Sequence, residues 1–169
     1  ARRLLAQAPE GAFDLIQLPF SVFDGRFLLL LPELKAHGVE VHVRSAFLQG
    51  LPQLTQLELT QLFGYAPAPL AAFRALCIQQ NLPLFPALLA YVACTPGVDV
   101  ALAGVVDARQ LAECLQAQGL AGRVAPLASE WAHAFAIEDE EVILPYKWKK
   151  NKYLEAKKTQ GSSAWESLG

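Results

Sequence analysis

Methionine is absent from the 169 residues, and cysteine, histidine and charge are all sparse: three Cys, three His and 18% charged side chains. Cys77, Cys94 and Cys114 are odd in number and widely spaced in apolar, helix-like contexts, with no C-x-x-C pair. That argues against a disulfide framework and predicts buried free thiols in a reducing, cytoplasmic setting. His37, His42 and His133 lack metal-ligand spacing, so no metal site is expected. Fourteen basic against sixteen acidic side chains give a net charge of -2. This balance leaves no electrostatic footprint for nucleic acid or an anionic membrane. No apolar run approaches the roughly 20 residues of a spanning helix. The richest stretch, 27–31, is followed by Pro32, Lys35 and His37. Neither G-x-G-x-x-G nor G-x-x-x-x-G-K-[ST] occurs, which removes the Rossmann fingerprint and the P-loop.

What the chain has in quantity is apolar surface. Hydrophobic residues make up 53% and the mean hydropathy is +0.27. Disorder is excluded for most of the chain, and the length fits one domain. Without a membrane span, this composition predicts strands buried on both faces. The first residues lack the apolar core of a secretory signal. Arg2, Arg3, Leu4, Leu5 and Ala8 read as the last turns of a helix that Pro9 and Gly11 break.

Residues 13–20 form a short apolar run before the turn Asp24-Gly25 and predict a strand. Leucines at helical spacing predict a helix over 26–37 with Gly38 as its stop. Alternation over 39–43 predicts a second strand, and 48–69 reads as a long loop with a helical turn or two. Helices are expected over 69–80 and 86–93, and a β-branched run predicts a third strand over 98–106. Asp107 caps a helix to Gln118 with Gly119 as its stop. Strands alternating with helices imply parallel pairing under a helical cover, an α/β class. Residues 128–137 predict one more helix. From 147 onward the chain becomes a basic and polar tail, 147–169, with six lysines beside Trp148 and Tyr153. Such a run contacts phosphate in some proteins and is a solvated face in more of them. The tail is expected to be disordered or foreign to the domain, which spans 1–146.

Ligands of parallel α/β sheets bind at the carboxyl ends of the strands. Those ends fall at Gln17–Ser21, 44–50 and 104–110. Gln17, a lone polar residue in an apolar run, is expected to find a hydrogen-bonding partner, in a ligand or in the backbone. Gly104, Asp107, Arg109 and Gln110 sit where a helix N-terminus could receive an anion, although many strand-to-helix turns look alike.

The segments FDLIQLPFSVFD (13–24), GVEVHVRSAFLQG (38–50) and TPGVDVALAGVVDARQLAE (95–113), in this order and spacing, resemble the aldo-keto reductase family. The match is to strands six to eight of its (β/α)₈ barrel and covers about residues 1–125. The resemblance implies a partial TIM-type barrel of about three parallel strands with covering helices. It implies that Gln17 bonds the nicotinamide carboxamide, with Ser21 beside it where the family has Tyr-Asn at Phe20-Ser21. Arg44 stands where Tyr or Trp stacks on the nicotinamide ring. Ser45, Phe47, Gln49 and Gly50 belong to the loop over the pyrophosphate. Gly104, Val106, Arg109, Gln110, Glu113 and Cys114 fall on the adenosine end. Val106 replaces a Ser or Arg directed at the 2′-phosphate and Cys114 replaces an Asn, so NADP and NAD both stay open. The family's catalytic Asp, Tyr, Lys and His lie on the first four strands, and no catalytic residue is carried over. A whole barrel needs about 250 residues. The implied function is the C-terminal, cofactor-binding part of an NAD(P)H-dependent reductase of small aldehydes or ketones. The alternative is a non-catalytic nucleotide-binding or protein-interaction module derived from that fold. Open sheet edges predict self-association, or pairing with a missing N-terminal half.

Overall fold

The computed structural model describes residues 13–148. The helix expected at 1–8, and the tail beyond Trp148, lie outside the described residues. Three parallel strands in the order β1-β2-β3 form the sheet: β1 (Leu15–Pro19), β2 (Glu40–Arg44) and β3 (Val100–Ala101). Leu15 pairs with Glu40 and Pro19 with Arg44, while His42 and Val43 pair with Val100 and Ala101.

The helices are α1 (Leu31–Ala36), α2 (Gln56–Phe63), α3 (Ala68–Gln79), α4 (Leu84–Cys94), α5 (Ala108–Val124), α6 (Ala128–Ala134) and α7 (Glu140–Ile143). None is long and apolar enough to cross a membrane. The expected helix over 26–37 begins later. Ser21 Oγ accepts from the backbone N–H of Asp24, and the Asp24 carboxylate takes Arg26 Nε and Nη2 at 2.8 Å each, fixing a turn there. A 3-10 turn at Leu28–Leu30 then leads into α1. The helix stops at Gly38, whose φ of +70° suits glycine.

Three further expectations need correction. The stretch read as loop holds α2, opened by a capping box: Thr55 Oγ1 accepts from Glu58 N–H, and Glu58 Oε2 accepts from Thr55 N–H at 2.7 Å. The third strand pairs over only two residues, Val100 and Ala101, and the ladder finishes where Leu102 N–H donates to Val43 O at 2.8 Å. Helix α5 runs through Gly119 to Val124. A glycine inside a helix costs about 1 kcal/mol. Burial of Ala117 and Val124 offsets that, at about 1.5–3 kcal/mol for a side chain the size of valine.

Among the described residues the sheet is covered on one face only. Successive residues of a strand point to opposite faces, and paired residues of parallel strands share one. Leu18, Val41 and Val43 are buried under the helices. Gln17, Glu40 and Arg44 on the other face are exposed, and His42 is half-buried. The expected burial on both faces is therefore overturned, and with it a buried Gln17. The apolar excess resides in the helical layer instead. Every residue of α4 from Pro86 to Val92 is buried. Around it lie stacked and edge-on rings: Phe20–Tyr91 at 5.9 Å, Phe73–Trp131 at 5.2 Å and Phe73–Phe135 at 5.1 Å.

The C-terminal segment returns to this core. Ile137 N–H donates to Phe23 O at 2.9 Å, and buried Trp148 packs edge-on against Phe63 while its Nε1 donates to Val142 O at 3.0 Å. Lys147 pairs with Glu140 and Glu141.

Candidate functional site

An open cleft of about 580 Å³ lies at the carboxyl ends of the strands. That volume suits a cofactor-sized ligand. Gln17, Arg44, Ser45, Phe47, Gln49 and Gly50 line it from β1, β2 and the following loop, and Gly104, Gln110, Glu113 and Cys114 line it from the β3–α5 side. Ser21, Val106 and Arg109, the other residues singled out in the sequence, do not line it. Ser21 is buried, its hydroxyl accepting from the N–H of Phe23 and of Asp24, so it shapes the turn after β1. Gln53, Phe85, Leu102 and Val105 also line the cleft. Phe85 was invisible in the sequence because it opens a core helix; it reaches the site through an edge-on contact with Phe47 at 5.5 Å.

The wall after β2 is a loop in unusual backbone geometry. Ser45, Leu48 and Gln49 have φ of 69°, 42° and 57°, and Gly50 has 80°. Left-handed backbone costs a non-glycine residue roughly 1–2 kcal/mol, and it persists only where surrounding structure enforces it. Leu48 N–H donates to Ser45 O at 2.9 Å and Gly50 N–H to Phe47 O at 2.8 Å, which closes two turns, and the segment after them is tied down. Arg74 on α3 donates from Nη1 to Pro52 O at 3.2 Å and also to Leu54 O. Leu51 and Leu54 are buried beneath the loop. Arg44 closes the near end, its Nη1 donating to Ser45 Oγ at 3.1 Å.

The opposite wall is the N-terminus of α5. Asp107 is its N-cap, with Oδ1 accepting from Gln110 N–H at 2.8 Å. Gln110 Oε1 in turn accepts from Val106 N–H at 3.1 Å. A carboxylate thus already occupies the place an anion would take, complementing the helix dipole itself. Burial, and next the neighbouring Glu113, push the Cys114 thiol up from its ordinary value, which leaves it a poor nucleophile. Val106 is 86% exposed.

Gly104 lies on the floor between these walls. Its backbone is not left-handed, and a Cβ there would meet no atom within 4 Å. Glycine is therefore not demanded by strain or packing; its effect is to leave the floor bare. Among the described residues, no cluster of His, Cys, Asp and Glu could hold a metal ion.

No protein-family model and no curated protein matches the sequence. Solved structures do. Aldo-keto reductase AKR11C1 from Bacillus halodurans in its apo form matches with a TM-score of 0.61 at 22% identity, over 82% of this chain and 49% of that one. Its holo form matches with a TM-score of 0.62 at 22% identity, over 82% of this chain and 46% of that one. The chain spans about half the length of these structures. Its three parallel strands and their helices have the fold of part of an aldo-keto reductase (β/α)₈ barrel.

Proposed function

We propose that this chain forms the cofactor-binding side of an NAD(P)H-dependent reductase, whose intact barrel reduces a small aldehyde or ketone. The observation that carries the reading is convergence: the Gln17 amide, the Arg44 guanidinium, the enforced left-handed loop and bare Gly104 all meet at one cleft. The residues fit a nicotinamide dinucleotide. The exposed Gln17 offers both an acceptor and donors, the pattern a carboxamide needs. Among the described residues Arg44 is the one cation lining the cleft, and its flat guanidinium suits both a pyrophosphate and the face of a ring. The nicotinamide, when bound, supplies hydride to a carbonyl carbon. The protein's part on this side is to orient and to neutralise.

Protonation of the carbonyl oxygen falls to groups outside the described residues. Tyr65 donates to Asp139 at 2.6 Å, Tyr91 is buried in the aromatic core and pushed up to about 12, and Tyr146 does not line the cleft. General acid catalysis contributes about 10²–10⁴-fold, so the chain alone is expected to reduce no aldehyde above background.

The test uses Gly104→Val. A Cβ at this position meets no atom within 4 Å, so the added side chain fills the floor rather than displacing a neighbour at its first carbon. Calorimetric titration of the full chain with NADH should show binding that G104V weakens at least about tenfold, or 1.4 kcal/mol. Unchanged affinity in a normally folded G104V would remove the cleft from the reading.

A further inference from the structure

A surface helix ordinarily turns its polar and charged residues to water. Ala117 and Val124 of α5 point into the core, yet the opposite side of the helix is apolar as well. At 3.6 residues per turn, Ala108, Leu111, Ala112, Leu115, Gly119 and Gly122 form one stripe along it, and all six are exposed. Leu111 is 49% and Leu115 57% exposed. The charged residues Arg109, Glu113 and Arg123 lie off the stripe, and Arg123 Nη2 donates to Gln80 O at 2.6 Å. The two glycines weaken the helix, and nothing within the described residues asks for them. Neither has a left-handed backbone, and a Cβ at either would meet no atom within 4 Å. What glycine does allow on the outside of a helix is close approach by another backbone.

We propose that this stripe is a homodimer seam, on which α5 of a second copy packs antiparallel. A two-fold axis through Leu115 sets Leu111 of one helix opposite Gly119 of the other, four residues to either side of the centre. A knob enters a hole made by four residues of the facing helix. Leu115, Gln118, Gly119 and Gly122, spaced i, i+3, i+4 and i+7, make that hole, and the glycines leave it open for Leu111. The exchange occurs twice, as an isologous contact requires. The bulk of the stripe lies in its N-terminal half and the glycines in its C-terminal half. An antiparallel copy is therefore complementary to it, whereas a parallel copy sets leucine on leucine and glycine on glycine. Seventeen residues of helix span only about 25 Å. The seam is thus smaller than the roughly 800 Å² per partner of a standard interface, and the dimer is weak. None of the stripe residues lines the cleft, so the proposal is independent of the nucleotide reading.

Sedimentation equilibrium of the full chain decides it. The chain should be largely dimeric at about 100 μM and monomeric near about 1 μM. Leu111→Gln removes the knob, and Gly119→Gln fills the hole while favouring the helix. Each should weaken the dimer at least about tenfold, and G119Q should raise the melting temperature of the dilute chain. In the unaltered chain, amides over 108–124 should exchange more slowly at the higher concentration. A monomer at about 100 μM would overturn the proposal, as would a dimer whose constant either folded variant leaves within about threefold. Equal exchange over 108–124 in a chain that does associate would place the contact elsewhere, at the open sheet edges, and overturn it too.

Discussion

Arg74→Met is the perturbation that most directly links the fold to the cleft. Arg74 is half-buried on α3, and its Nη1 bridges the carbonyls of Pro52 and Leu54, so one nitrogen ties down both ends of a turn. Burial lowers its pKa from the ordinary value. The guanidinium still stays charged, because arginine does not deprotonate in proteins. A hydrogen bond to a charged group contributes about 1.5–3 kcal/mol. Two bonds that share a nitrogen amount to little more than one, giving a loss of about 2–3 kcal/mol. Methionine retains much of the apolar stem, so packing loss adds little. For a chain of this size, each kcal/mol lowers Tm by about 2–4 °C, and the expected fall is about 4–12 °C by calorimetry. The left-handed residues Leu48 and Gln49 lie immediately before this tethered segment. Amides over 48–54 should therefore exchange faster with solvent in R74M, and NADH binding should weaken with them. A Tm within 1 °C of the parent would refute the tether. A large fall in Tm with unchanged exchange over 48–54 would refute the link to the loop.

Trp131→Ala removes the ring that stacks with Tyr91 and meets Phe73 edge-on, and should cost about 3–5 kcal/mol in denaturant unfolding without altering the slope m. The Asp99 carboxylate accepts from Lys35 Nζ at 2.7 Å and from Val41 N–H at 2.8 Å, and these bonds hold it below its ordinary 3.8. Its folded pKa is thus below the unfolded one, so its contribution is present above about pH 4 and lost as pH falls through the folded value. Asp99→Asn should flatten the acid limb of a stability-versus-pH curve below pH 4, and an unchanged limb would show that the bonds do not hold in solution.

The elements with strong local signals were legible. Gly38 and the Asp107 cap marked real helix ends because each answers a backbone need, for a left-handed turn and for an unpaired N–H. Gly119 misled because its backbone has no such need: a Cβ there would meet nothing within 4 Å, and the helix continues to bury Val124. Thr55 and Glu58 carried a capping signature that Gly50 and Pro52 obscured. The candidate site was legible mainly through resemblance. Its loop geometry was not: Leu48 and Gln49 sit in two successive turns, Leu48 N–H to Ser45 O and Gly50 N–H to Phe47 O, and the segment after them is tied by Arg74, twenty or more residues away.

The two faces of the sheet explain where the ligand-directed side chains come from. Strands buried on both sides usually read as continuous apolar runs. β3 does, but β2 does not: Glu40, His42 and Arg44 alternate with Val41 and Val43, and the valines alone are fully buried. The alternation already contradicted burial on both faces, and the apolar excess belonged to α4, a helix buried all round. On the open face the polar residues differ by partner. His42 Nε2 and Glu40 Oε1 meet at 2.6 Å, so these two side chains are committed to each other. Gln17, the register partner of His42, and Arg44, two residues further along β2, face the cleft instead. Neighbouring side chains of one open face thus divide into a pair that satisfies itself and a pair that lines the cleft.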